Sequence, residues 1–162
     1  MKIFFRKAAI VAIAVVTMSV AAQAQQQGDK AVGGNLVIGT GNSYTHIGIG
    51  GKFFYNVTDP IRLAGEFDFF PKQDYLTWWD FSAYGHYLFP VADQLVLYPS
   101  VGLGLVGAKT EGFSGSSKAA FSLGGGADYE ISPNLFLNGE LRIKLYEGNN
   151  RLNLAFGLAY KF

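Results

Sequence analysis

Residues 152–162 read LNLAFGLAYKF, and every second side chain is large and apolar. Leu152, Leu154, Phe156, Leu158, Tyr160 and Phe162 share one side of an extended chain. Asn153, Ala155, Gly157, Ala159 and Lys161 share the other. A soluble protein rarely leaves such a strand at its terminus, because termini fray and an apolar edge invites aggregation. A strand of about ten residues, apolar outside and small or polar inside, is what a transmembrane barrel requires.

The opposite end of the chain points to export. Lys2, Arg6 and Lys7 precede an apolar run over residues 8–16, and Ala22-Gln23-Ala24 is a small-x-small cleavage pattern. Residues 1–24 are therefore expected to be a cleaved signal peptide, and residues 25–162 a single barrel domain. The run is too short for a spanning helix. The chain holds no cysteine, which excludes a disulfide scaffold and a lipid-anchored terminus. The net charge of +1 gives no electrostatic case for nucleic acid. An apolar content of 49% with no long apolar stretch in the mature part must be arranged at period two.

That period marks eight segments, near 31–41, 45–56, 61–70, 78–89, 95–108, 118–130, 135–146 and 151–162. Residues 57–60, 90–94 and 131–134 are tight turns rich in Pro, Asp, Asn and Ser. The opposite connections are more varied and short. The fold class is thus all-β: one eight-stranded antiparallel up-and-down transmembrane barrel, with both termini on the tight-turn, periplasmic side. Tyr55, Tyr87, Phe89, Tyr129, Tyr160 and Phe162 cluster at the turn end of the outer face. Phe69, Trp79, Phe81 and Phe121 cluster toward the loop end, so two aromatic bands are expected at the water boundaries.

The inner face carries Glu66, Asp68, Asp80, Asp128, Glu130 and Glu140 against Lys52, Arg62, Arg142, Lys144, Arg151 and Lys161. A barrel of eight strands is only wide enough to be filled by its own side chains, so these charges are expected to pair across it. Counting back from the turn at 57–60 sets Lys52 opposite Glu66. Glu140, Arg142 and Lys144 then face Gly124 and Gly126, whose missing side chains leave room for long arms, as do Gly102 and Gly104. The expectation is an ion-paired, closed lumen.

The signal peptide, the eight amphipathic strands, the short turns and Tyr160-Lys161-Phe162 together resemble the small OmpA/OmpX-type outer-membrane barrels, over all of the mature chain. The resemblance implies location in the outer membrane of a Gram-negative bacterium and contact with its lipids and lipopolysaccharide. It implies a structural or surface-interaction role. The chain is expected to stop at the barrel, without the cell-wall-binding domain of longer relatives. The terminal segment is also similar to the signal by which such proteins are recognised by the barrel-insertion machinery, which assigns that role to Phe156, Leu158, Tyr160 and Phe162.

Other readings are weighed against this one. A narrow channel or conduit for small hydrophobic molecules would draw on the inward glycines. A lipid A-modifying enzyme would need a site, and His86 with Ser82 and Asp80 is the only local set of base, nucleophile and acid. Ser82 and His86 are four residues apart on one strand, roughly 13 Å, beyond hydrogen-bond reach. No catalytic residue is assigned, and His46, near a loop, is expected to be solvated. Two separated histidines and scattered loop acids (Asp74, Glu111) have no metal-ligand spacing, and no cofactor is expected. Lys72, Lys109 and Lys118 stand at the loop end, where lipopolysaccharide phosphates would lie. A soluble lipocalin-like barrel would have to turn its charged face outward and expose its glycines and alanines with it.

Overall fold

In a computed structural model, residues 25–73 and 75–162 are described; the expected signal peptide and Asp74 lie outside them. Among the described residues nine strands form one antiparallel sheet: β1 Lys30–Thr40, β2 Thr45–Asn56, β3 Ile61–Gln73, β4 Leu76–Tyr87, β5 Phe89–Ala92, β6 Leu95–Thr110, β7 Ser116–Ser132, β8 Leu135–Tyr146 and β9 Asn149–Lys161. Each strand except β4 pairs with the next, β1 pairs with β9, and β4 pairs with β6, which closes the sheet on itself.

The barrel has eight staves, because β4 and β5 are one stave in two pieces. His86 lies opposite Ser100 and Phe89 opposite Leu97, so the register runs through unchanged. The break at Leu88 falls opposite Tyr98, beside Pro99, which has no N–H to give to the ladder. The sequence-derived segments correspond to these staves, with β3, β6 and β7 each longer toward the loops. Ladder bonding runs on to Gln73 and Leu76 on one side, and to Thr110 and Ser116 on another.

Closure has a chemical consequence. An open sheet leaves an edge of unpaired backbone groups, which hydrocarbon cannot satisfy, whereas a closed one pairs all of them internally. The period-two pattern then becomes a sorting of faces. Leu36, Ile47, Phe67, Leu103, Leu141 and Phe156 are exposed on the outside, each by about half or more of its area except Phe67 at 47%. Their in-between neighbours are buried inside. Tyr55, Tyr87, Tyr129 and Tyr160 stand exposed at the turn end, and Phe69, Phe81 and Phe121 at the loop end. No helix among the described residues is long and apolar enough to cross a membrane; the crossing elements are strands.

Candidate functional site: the filled lumen

Among the described residues ten charged side chains are buried: Lys52, Arg62, Arg142, Lys144 and Arg151 against Glu66, Asp68, Asp80, Asp128 and Glu140. The five cations form ion pairs with Glu66, Asp80, Asp128 and Glu140, and Asp68 accepts from Asn35 instead. These side chains fall into three groups stacked along the barrel axis, each joining strands that are distant in the sheet.

The central group is a four-membered ring. Lys52 on β2 lies opposite Glu66 on β3 and pairs with it at 3.1 Å; it also pairs with Glu140 on β8 at 3.1 Å. Arg142, two residues along β8, reaches Glu66 at 2.6 Å and Glu140 at 3.0 Å. Asn138 accepts from Lys52 at 3.0 Å. The hydroxyl of Tyr98 donates to Glu140 at 2.8 Å and accepts from Asn138 at 2.6 Å.

Toward the loops, Asp80 on β4 accepts from Lys144 at 2.8 Å and also pairs with Arg151. Lys144 donates further to Ser82, and Arg151 to Asn153. The Arg151 guanidinium lies over Phe70 and Trp78, with ring centroids 5.0 and 5.4 Å away. Asp68 faces Asp80 across the β3–β4 ladder and accepts from Asn35 at 3.2 Å. Toward the turns, Arg62 pairs with Asp128 and donates to Nδ1 of His86 at 3.1 Å. The Arg62 guanidinium also lies over Phe54 and Tyr98.

Apolar clusters are interleaved with these groups, Ala64 lying between Arg62 and Glu66 on β3. Val37, Phe70, Trp78 and Ala155 pack together near the loops, and Ala31, Phe54, Ala64, Tyr84, Phe136 and Ala159 near the turns. Buried charges of this kind are tolerated only when paired, and removing one partner strands the other.

The inward glycines are where these side chains fit. A methyl built on Gly124 would fall 2.7 Å from both Cα and Cγ of Arg142, and one on Gly126 would fall 2.6 Å from the Tyr98 hydroxyl. Gly48 is covered by Phe70, Gly50 by Asn35 and Asp68, Gly102 by Tyr84 and Gly104 by Ser82. Gly124 receives the arm of Arg142 and Gly39 that of Arg151; Gly102 and Gly104 are filled by a tyrosine ring and a serine, because Tyr84 and Ser82 on β4 face them across the ladder.

Two residues read from the sequence as lumenal stand instead at the turn-side rim. Glu130 is half-buried there, and Lys161 pairs with Asp29 at 3.6 Å; both lie at the ends of their strands, where the wall opens. The expectation that His46 is solvated is wrong. It is 5% exposed and stacks on Trp78 with centroids 4.4 Å apart, because position 46 has the inward parity of Lys52 on the same strand. Sequence reading also passed over Tyr98, Asn138 and Asn35, and put Asn153 on the inner row without a partner; all are inward by parity and wired into the network. His86 and Ser82 belong to different groups, His86 stacking on Tyr98 at 4.5 Å and Ser82 bound to Lys144, so no base–nucleophile pair forms between them.

A closed eight-stave barrel with a lipid-compatible exterior, two aromatic bands and a paired ionic interior defines an integral outer-membrane β-barrel protein. The chain belongs to the outer membrane protein beta-barrel domain family, whose model matches residues 9–162, and its place is the outer membrane of a Gram-negative cell. Solved structures share the fold at low identity. Neisserial surface protein A matches with a TM-score of 0.64 at 16% identity, covering 83% of this chain and 96% of that one. The N-terminal β-barrel domain of Pseudomonas aeruginosa OprF matches at 0.66 and 18%, covering 85% and 100%. Ail, the attachment invasion locus protein of Yersinia pestis, matches at 0.60 and 16%, covering 85% and 100%. No curated protein matches the chain in sequence.

Proposed function

We propose that this protein is a non-enzymatic outer-membrane barrel with a structural and surface-contact role, and that its lumen is closed to solutes. The observation that carries the reading is that the room left by the inward glycines is already taken. Gly48, Gly102, Gly124 and Gly126 are covered by Phe70, Tyr84, Arg142 and Tyr98, and the ion pairs span the bore at three levels. The same observation weighs against a channel. The separation of His86 from Ser82 weighs against a lipid-modifying site.

The outward-facing end favours contact by short, braced loops. The turn at Tyr75 and the loop after Thr110 are clasped by the Glu111 N–H donating to the Tyr75 carbonyl at 3.1 Å and by the Lys72–Glu111 ion pair. They present Tyr75 and Phe113, 69% and 75% exposed. A structure of Ail contains the heparin analogue sucrose octasulfate. Here Lys72 and Lys118 share their charge with Glu111 and Glu147, which weakens the case for phosphate contact and favours the exposed aromatic rings. On β9 and the residue that follows it, the outward row Phe156, Leu158, Tyr160 and Phe162 would serve the insertion machinery during assembly.

Proteoliposome swelling tests the closed lumen. Vesicles carrying the folded barrel should swell in small sugars no faster than empty ones; size-dependent swelling would overturn it. Lipid A mass spectra should be unchanged on overexpression.

A further inference from the structure

We propose that the turn-side mouth is the docking site for the protein's own mature N-terminus, and that Gln25 completes the closure of the lumen. The proposal rests on the reading that cleavage falls after Ala24. Hydrolysis of the Ala24–Gln25 bond consumes one water, leaves the Ala24 carboxylate on the leader and makes Gln25 a terminal residue with a protonated amine.

Gln25 is the residue that reaches into the bore. Arg62 Nη1 donates to Gln25 Oε1 at 3.0 Å, and Gln25 Nε2 donates to Asp128 Oδ2 at 2.9 Å. Arg62 and Asp128 are themselves paired, so the carboxamide completes a three-membered ring with the last buried ion pair of the column.

The segment behind it is held as a strap. Gly28 donates to the Asn56 carbonyl at 2.8 Å, the Asn56 N–H to Asp29 at 2.9 Å, and the Gln27 N–H to Asp59 at 2.7 Å. Gly28 has φ +90°, a left-handed turn that glycine adopts freely and that redirects the chain into the mouth. Two cavities of about 10 Å³ flank Gln25, each the size of one water. One is lined by Asp128, Glu130 and Lys161, so the new ammonium meets Glu130 and the already paired Asp128 beside one lysine.

The experiment uses whole protein in outer-membrane vesicles. The mature terminus is read by mass spectrometry, and Arg62 is probed with phenylglyoxal, a guanidine-reactive dicarbonyl. Wild type should begin at Gln25 and leave Arg62 unlabelled. Gln25→Gly should label Arg62 several-fold faster while remaining heat-modifiable on gels. Two serines inserted between Ala24 and Gln25 move the amine away, and should also raise labelling. Labelling at the wild-type rate in either variant would overturn the proposal. A mature terminus at another residue would instead sink the cleavage reading, and the proposal with it.

Discussion

Arg142 and Glu66 stand on opposite walls of the barrel, 76 residues apart, and their charged groups meet at 2.6 Å across the bore. Both are also tied to the Lys52–Glu140 pair, so each of the four groups touches two of the opposite charge.

Removing Arg142 alone leaves two buried carboxylates facing one lysine. Arg142→Met should therefore cost about 3–5 kcal/mol. Arg142→Met combined with Glu66→Gln leaves Lys52 and Glu140 matched and should be less destabilised than Arg142→Met alone. Urea unfolding of the barrel in lipid vesicles measures both; simple additivity of the two single changes would contradict the ring.

Glycines on the two faces should respond oppositely. A methyl on Gly126 would lie 2.6 Å from the Gly139 carbonyl oxygen, which cannot move aside, so Gly126→Ala should cost about 1–3 kcal/mol. Outward Gly65 has nothing within 4 Å of that position, and Gly65→Ala should stay within about 0.5 kcal/mol of wild type. The same unfolding measurement compares them.

The outer wall should show a depth profile. Leu141 is 50% exposed midway along β8, and Leu141→Arg there should cost about 2–4 kcal/mol. Ile61, at the turn end of β3, should accept arginine for about 0–1 kcal/mol. Equal costs at the two positions would mean that the wall does not face lipid as described.

The insertion row on β9 is tested in cells. Phe162 is 65% exposed and its N–H donates to the Lys30 carbonyl, so its ring adds little to packing. Phe162→Ala should lower the heat-modifiable, membrane-inserted fraction while the stability of purified barrel changes by less than about 1 kcal/mol. An unchanged inserted fraction would remove the role from this residue.

The staves were legible because one face of each must meet hydrocarbon, which enforces period two at the large residues of β9 throughout and of β1 and β2 apart from the inward Val37 and Phe54. Lys52 opposite Glu66 was legible too, since a tight turn sets the register of its hairpin. Partners across the bore were not. That Arg142 meets Glu66, or Lys144 meets Asp80, depends on how far the sheet shears before it closes, which no single hairpin reveals. Tyr98 and His46 carried the inward parity but looked like ordinary aromatic and loop residues. Glu130 and Lys161 shared that parity and still ended at the rim, because parity says which face a side chain takes and not how deep it lies.

The closed lumen is tested most directly by planar-bilayer recording of the purified, folded protein. Neutral bilayer current, with no stable unitary steps, is the expected result. Discrete, reproducible openings from wild-type protein would show that the ion-paired column between Arg62 and Arg151 is a gate and would contradict the account.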